Sequence, residues 1–295
     1  MLPKNASASD RTAASQNKTL HYSRLLRGTC HSGSESLRIA ERLGSIGGPC
    51  ELPAVLVTTD LLIHFEASRY PGTGETWINI GTGGTDYNAT LLGGEGELPL
   101  FVNDAIKSFL FTRRPLESGE DYYSWNYMRF LRPNAISDDF TWCAWIKTTE
   151  TGAGLDHFNL MFIVSTETGG VNNDFGFGLD SDGRLAYGDG SLGGSDITLR
   201  TSSAVNAGQW TFVAVTRRKS TGAVVLYVNG EANTSGTCNV GNTLSTAEYV
   251  LIASETDFPG YTFGGNIGAL LGNTSVLTAE QIAQNFSAQR GAYGV

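Results

Sequence analysis

The residue types able to do chemistry are few and scattered along this chain of 295 residues. Its four histidines are His21, His31, His64 and His157, and no two have the spacing that puts paired metal ligands on one helix or strand. His64 falls inside an apolar run and reads as a satisfied core or edge residue. The four cysteines, Cys30, Cys50, Cys143 and Cys238, lack the short gap of a zinc knuckle. Cys143 sits within an apparent strand and reads as a small buried thiol. Cys30 and Cys50 bracket a short segment and leave two states open, a disulfide or two free thiols. There is no Gly-x-Ser-x-Gly elbow to expose a nucleophilic serine, and no phosphate-cradling glycine loop with a lysine. Gly81 to Gly84 reads as a turn. No catalytic residue is assigned.

Two groupings could bind rather than react. Asp180, Asp182 and Asp189 form an acidic loop cluster, and a hard cation such as Ca²⁺ wants several oxygens. Against this, Asp182 followed by Gly183 is the chemistry of a tight strand turn. The turn takes precedence, so no metal ligand and no cofactor is assigned, and Ca²⁺ stays an open alternative. A sugar site would combine an aromatic platform with amide or carboxylate partners. Tyr122, Phe258 and Tyr261 fall in loops and are the candidate carbohydrate-binding residues. Trp125, Trp142, Trp145 and Trp210 fall in alternating runs and read as core.

The elements that must position these residues are strands. The segment from Trp210 to Glu231 reads as a hairpin whose two strands are apolar on both faces, because side chains alternate across a strand. Such a ribbon needs cover on both sides, as an inner member of a two-sheet sandwich has. Asn229 and Gly230 supply the dipeptide that tolerates positive φ at both turn positions. Further strands are expected at 55–57, 61–65, 125–131, 140–146, 158–164, 175–179, 184–187, 249–253 and 266–271. With 37 glycines and 8 prolines, this pattern predicts an all-β fold, an antiparallel jelly-roll sandwich. One helix interrupts it near the end. Thr278 and Gln281 form a capping box, Leu277 and Ile282 a staple, and Ile282 and Phe286 a docking stripe, with Gly291 as the stop.

Residues 1–53 read as a separate helical arm and linker, and 54–295 as the jelly-roll domain. Helices are expected at about 11–27 and 35–43, with a linker at Gly47, Gly48 and Pro49. Residues 1–50 carry seven cationic side chains against three carboxylates, a net of +4 that leaves −13 of the total −9 on the rest. An acidic body disfavours nucleic acid, since phosphate binding needs cationic surface. A basic arm suits docking on an acidic neighbour, such as another copy's body. No run of apolar residues is long enough to span a bilayer. The first 19 residues are polar and hold no apolar core with a cleavage site, so no secretory signal is expected there.

Taken in order, several stretches resemble laminin-G-like domains of the concanavalin A-like lectin and glucanase superfamily. They are Leu61 to Trp77, Phe140 to Lys147, Gln209 to Val215, Val225 to Gly230, and Phe263 to Gly268 with Leu277 to Ile282, and the resemblance covers about 55–293. It implies a concanavalin A-like sandwich. Glycosidases of that superfamily carry a Glu-x-Asp-x-x-Glu strand, because the reaction needs two carboxylates at one bond. Here the nearest string is Glu255 and Asp257, the third place is Gly260, and Pro259 breaks the strand, so an enzyme is not expected. The loop from Tyr70 to Gly74 and the helix start from Leu277 to Glu280 resemble virion proteins of phages and large DNA viruses. Ser9 to Tyr22 is similar in style to leaders on structural proteins of large algal viruses. The first functional expectation is therefore a non-enzymatic virion component, a minor capsid or surface protein anchored to its neighbours by the arm. A lectin-like module that recognises host glycans is the alternative, and a glycoside hydrolase is the remote one.

Overall fold

The structure is a computed structural model that describes residues 54–94, 97–113, 126–170, 172–192, 194–255 and 261–295. The expected arm at 1–53, with Cys30 and Cys50, lies outside the described residues. Ala54–Val295 forms one compact unit.

Sixteen strands are described. The first eight are β1 (Leu61–Glu66), β2 (Thr76–Trp77), β3 (Ala89–Gly93), β4 (Leu100–Val102), β5 (Ser108–Phe111), β6 (Asn126–Leu131), β7 (Phe140–Lys147) and β8 (Met161–Ser165). The rest are β9 (Phe175–Leu179), β10 (Arg184–Asp189), β11 (Ile197–Ala204), β12 (Thr211–Arg218), β13 (Ala223–Val228), β14 (Glu231–Thr237), β15 (Tyr249–Ile252) and β16 (Gly265–Asn273). A single α-helix, α1 (Ala279–Gln289), stands among the described residues. The strands form two antiparallel sheets. The first runs β14-β13-β12-β7-β16-β5-β4, with β1 paired to the far part of β16. The second runs β11-β10-β9-β8-β15-β6-β3-β2. This is the expected all-β sandwich.

The ribbon of β12 and β13 lies inside the first sheet and is covered on both sides. Val213, Val215, Val224 and Leu226 face the inter-sheet core, with Phe65, Phe130 and Trp142. Phe212, Ala214 and Tyr227 face the other way, into a second cluster with Trp145, Leu277 and Ile282. The cover there is α1. Its box is formed as expected: Gln281 N donates to Thr278 Oγ1 (3.3 Å), and Thr278 N donates to Gln281 Oε1 (2.9 Å). Trp145 stacks on Tyr293 with ring centroids 4.2 Å apart and on Phe286 at 5.8 Å. Trp210 is half-buried against Tyr293 rather than in the core. Asn229 and Gly230 have φ of 51° and 82°, the turn conformation their types require.

Strands β3, β4, β5 and β11 were not expected, several bounds shift by one or two residues, and three larger differences follow. Residues 55–57 are not a strand, because amides of α1 take their backbone groups: Asn285 Oδ1 accepts from Val57 N (2.8 Å), and Gln284 Nε2 donates to Val55 O (2.6 Å). Phe158 precedes β8 on a short 3-10 turn, His157–Asn159. Gly291 does not end the helix, which passes into a second 3-10 turn, Arg290–Tyr293, closed by Gly294 at φ 72°.

Candidate functional site

A cleft of about 380 Å³ opens where β5, β7 and β16 end. Polar side chains on its wall include Thr112, Arg113, Lys147, Thr149, Glu150 and Asn266. Leu110 and Phe111 are its apolar lining residues, and behind them Arg113 Nη1 and Gly264 N both reach the buried Met161 Sδ, at 3.9 and 3.3 Å. Arg113 is held in place by Thr151 O (2.7 Å) and by Glu150 at 3.6 Å. Asn266 Nδ2 donates to Ser108 Oγ (3.1 Å). Arg113 is the last described residue before 114–125, and Asn126 just after them is bonded to Thr112 by both amide atoms, at 3.0 and 2.9 Å. Residues 261–264 follow the segment 256–260 directly.

The sequence-selected aromatics divide accordingly. Tyr122 and Phe258 lie outside the described residues. Tyr261 is half-buried and meets Phe162 edge-on, with centroids 6.4 Å apart, in a small cluster with Leu160 and Ala186. That cluster sits on the face of the second sheet turned away from the first. Of the Glu255–Asp257 string, Glu255 is described and is buried. The cleft wall carries one carboxylate, Glu150, among the described residues. Acid–nucleophile cleavage of a glycoside needs a second carboxylate a few ångströms away.

The acidic loop resolves in favour of the turn. Asp180 Oδ1 accepts from Asp182 N and Arg184 N (2.9 and 3.0 Å), and Oδ2 meets Arg184 Nε at 2.9 Å and Arg200 Nε at 3.5 Å. Gly183 has φ 73°. Asp189 is turned elsewhere, into a fully buried ion pair with Arg217 Nε at 2.9 Å. With two arginines on one carboxylate and one on another, these oxygens already have cationic partners. His64 bonds Glu66 Oε1 at 2.9 Å. This bond, followed by His64's charge and opposed by burial, holds the Glu66 carboxyl below its ordinary range.

A second grouping was not legible from the residue order. Outward positions of β9 and β10 are Gly176, Gly178, Ala186 and Gly188, so the outer face of the second sheet is low there, and the 3-10 turn His157–Asn159 packs onto it. A Cβ at Gly188 would stand 2.4 Å from His157 Cβ, and one at Gly176 would stand 2.8 Å from His157 O. His157 N donates to Thr198 Oγ1 (2.8 Å), which seats the turn on β11. The imidazole then points at the β8–β9 connection, with Nε2 3.2 Å from Glu167 Oε2. Asp174 from the same connection completes a group whose ligand-type atoms all lie within 4.8 Å of one another. All three residues are buried. Burial lowers the His157 pKa, but the neighbouring Glu167 carboxylate outweighs it and raises the imidazole above its ordinary value. Burial, and then the Glu167 charge, push Asp174 up to about 7. No periodicity marks this trio, because it joins residues from two loops that meet across the sheet.

The family described as "Concanavalin A-like lectin/glucanases superfamily" matches residues 117–283. No curated protein sequence matches the chain. Similar solved structures include domain 4 of AbnA, an extracellular arabinanase from Geobacillus stearothermophilus, in complex with arabinotriose: 18% identity, TM-score 0.55, covering 78% of this chain and 99% of that one. Another is botulinum neurotoxin type C, whose cell entry is described as dependent on interaction with two ganglioside molecules: 12% identity, TM-score 0.55, covering 78% and 51%. A third is the binding domain of botulinum neurotoxin DC in complex with rat synaptotagmin II: 13% identity, TM-score 0.53, covering 78% and 51%. The chain thus spans about half the length of the neurotoxin structures it matches. At these identities the likeness is one of fold.

Proposed function

Since the chain belongs to the concanavalin A-like lectin/glucanases superfamily, with more than half its length matched, we propose that its body is a lectin-like, non-catalytic module that holds an oligosaccharide in the cleft between β5, β7 and β16. The observation that carries this reading is the cleft's lining. Hydroxyl, amide and charged side chains stand on its wall beside the apolar Leu110 and Phe111. Sugars are held by this mixture of hydrogen-bonding groups and flat apolar surface. Among the described residues Glu150 is the one cleft carboxylate, and its pairing to Arg113 supports a holding role. The arabinotriose-bound arabinanase domain and the ganglioside-dependent neurotoxin share the sandwich, which supports a sugar as the ligand class.

The test is a glycan array probed with the full chain, followed by titration of the best hit. Saturable binding is expected, with at least a tenfold loss, about 1.4 kcal/mol, in each of Tyr122→Ala and Arg113→Ala. No saturable binding, or binding untouched by both variants, overturns the proposal. Release of reducing ends from the bound glycan would make it an enzyme instead. The virion assignment rests on the sequence resemblance and on the basic arm at 1–53. Deleting residues 1–50 should abolish incorporation into particles while leaving the body folded and its glycan binding intact.

A further inference from the structure

We propose that His157, Glu167 and Asp174 form a binding site for one divalent transition-metal ion, of the Zn²⁺ class, that pins the His157–Asn159 turn to the β8–β9 connection. The trio supplies one imidazole nitrogen and two carboxylate oxygens within a 4.8 Å span. Two ligands at about 2.1 Å from a common ion stand roughly 3.4 Å apart when tetrahedral, so the span contracts on binding and the fourth position is left to water. The donor types suit a borderline cation, since imidazole selects transition metals and two carboxylates alone would favour a harder ion.

Two features set this group apart from an ordinary polar network. First, Glu167 Oε2 is 3.2 Å from the imidazole, yet it has no hydrogen-bond partner among the described residues, and neither does His157 Nδ1. The His157 and Glu167 side chains are 1% and 4% exposed, so solvent does not satisfy them. Buried polar atoms ordinarily find partners, and an orphaned carboxylate oxygen aimed into a cluster of ligand atoms calls for one. Second, charge balance selects a divalent ion. Two carboxylates crowded in a low-dielectric site repel, and Asp196 adds to the negative field at His157 and Asp174. With both carboxylates ionised and the imidazole neutral, one doubly charged cation brings the trio to zero. The glycines beneath the turn allow its close approach, because a side chain at Gly188 would displace His157.

The experiment uses the full chain, stripped with EDTA and dialysed into chelator-free buffer at neutral pH. Zn²⁺ is titrated by calorimetry, and thermal unfolding is followed with and without it. One equivalent is expected to bind. At a hundredfold excess over Kd it should raise Tm by about 5–11 °C, from the mass-action stabilisation and the scale for a domain of this size. Glu167→Gln and Asp174→Asn should each weaken binding at least tenfold, with EDTA-treated far-ultraviolet spectra like the parent's. Co²⁺ loaded into the parent chain provides a reading that needs no variant. An absorption spectrum of nitrogen and oxygen ligation without a thiolate charge-transfer band supports the site, since it holds no cysteine. A thiolate band, binding unchanged in both variants, or no stoichiometric binding overturns it.

Discussion

Replacing Arg217 with methionine is the most searching test of how the two sheets are joined. Arg217 is on β12 of the first sheet and Asp189 on β10 of the second, and both side chains are 0% exposed with Nε and Oδ2 2.9 Å apart. The guanidinium also donates to the carbonyls of Asp138 (2.7 Å), Asn239 (3.3 Å) and Asn242 (3.0 Å). Asp189 accepts in turn from Tyr187 OH (3.2 Å) and from Asn239 N (3.0 Å). Methionine keeps the volume and removes the charge. It leaves a buried carboxylate with neutral donors alone, a situation that costs about 3–5 kcal/mol. For a domain of 150–250 residues, 1 kcal/mol lowers Tm by about 2–4 °C, so the expected fall is about 6–20 °C. Urea denaturation of Arg217→Met, of Asp189→Leu and of the double variant closes a thermodynamic cycle. The double variant should lose less than the sum of the singles, because it strands no charge. A single-variant loss below about 1 kcal/mol, the range of exposed pairs, would refute the reasoning. Ca²⁺ should leave the parent's stability unchanged through Asp180 and Asp189, since arginines hold both.

Three other outcomes are expected. Gly188→Ala should destabilise by about 1–3 kcal/mol in urea melts, because its Cβ would lie 2.3 Å from Ile197 O and 2.4 Å from His157 Cβ; a loss under about 0.5 kcal/mol would contradict that contact. In a Cys30→Ser/Cys50→Ser background, thiol reagents at pH 8 should leave the native protein unlabelled and react fully after denaturation. Cys143 and Cys238 are buried, and desolvation, aided at Cys238 by the Asp189 charge, raises both thiols, Cys238 to about 12. Glu66 is a depressed carboxylate, so its contribution is present above the ordinary carboxylate range and is lost as pH falls through its lower folded pKa. The stability gap between the parent and Glu66→Gln should therefore shrink as pH is lowered from 6 towards 3, and a gap that widened would reverse the sign.

The local chemistry of this chain was legible residue by residue. Alternation over 210–228 required cover on both faces, and the structure supplies a sheet on one and α1 on the other. Asn229 with Gly230, and Thr278 with Gln281, act within four residues of chain, so their types alone predict the turn and the cap. The short edge strands β2 and β4, of two and three residues, carry too little pattern to read, and they exist because a longer neighbour pairs with them. Residues 55–57 looked like a strand by composition, yet amides from α1, more than 220 residues later, took their hydrogen bonds. The same distance hid the ionic partners. Asp180 meets an arginine four residues away, but Asp189 meets one 28 residues on, and His157 meets Glu167 only because two loops converge over Gly176 and Gly188. Sequence alone determined the strands' faces, the turns and the cap, since those depend on neighbours along the chain. Tertiary structure decided which charges are neutralised, which ligands converge and where the cleft opens, since those depend on residues that meet only when the sheets close.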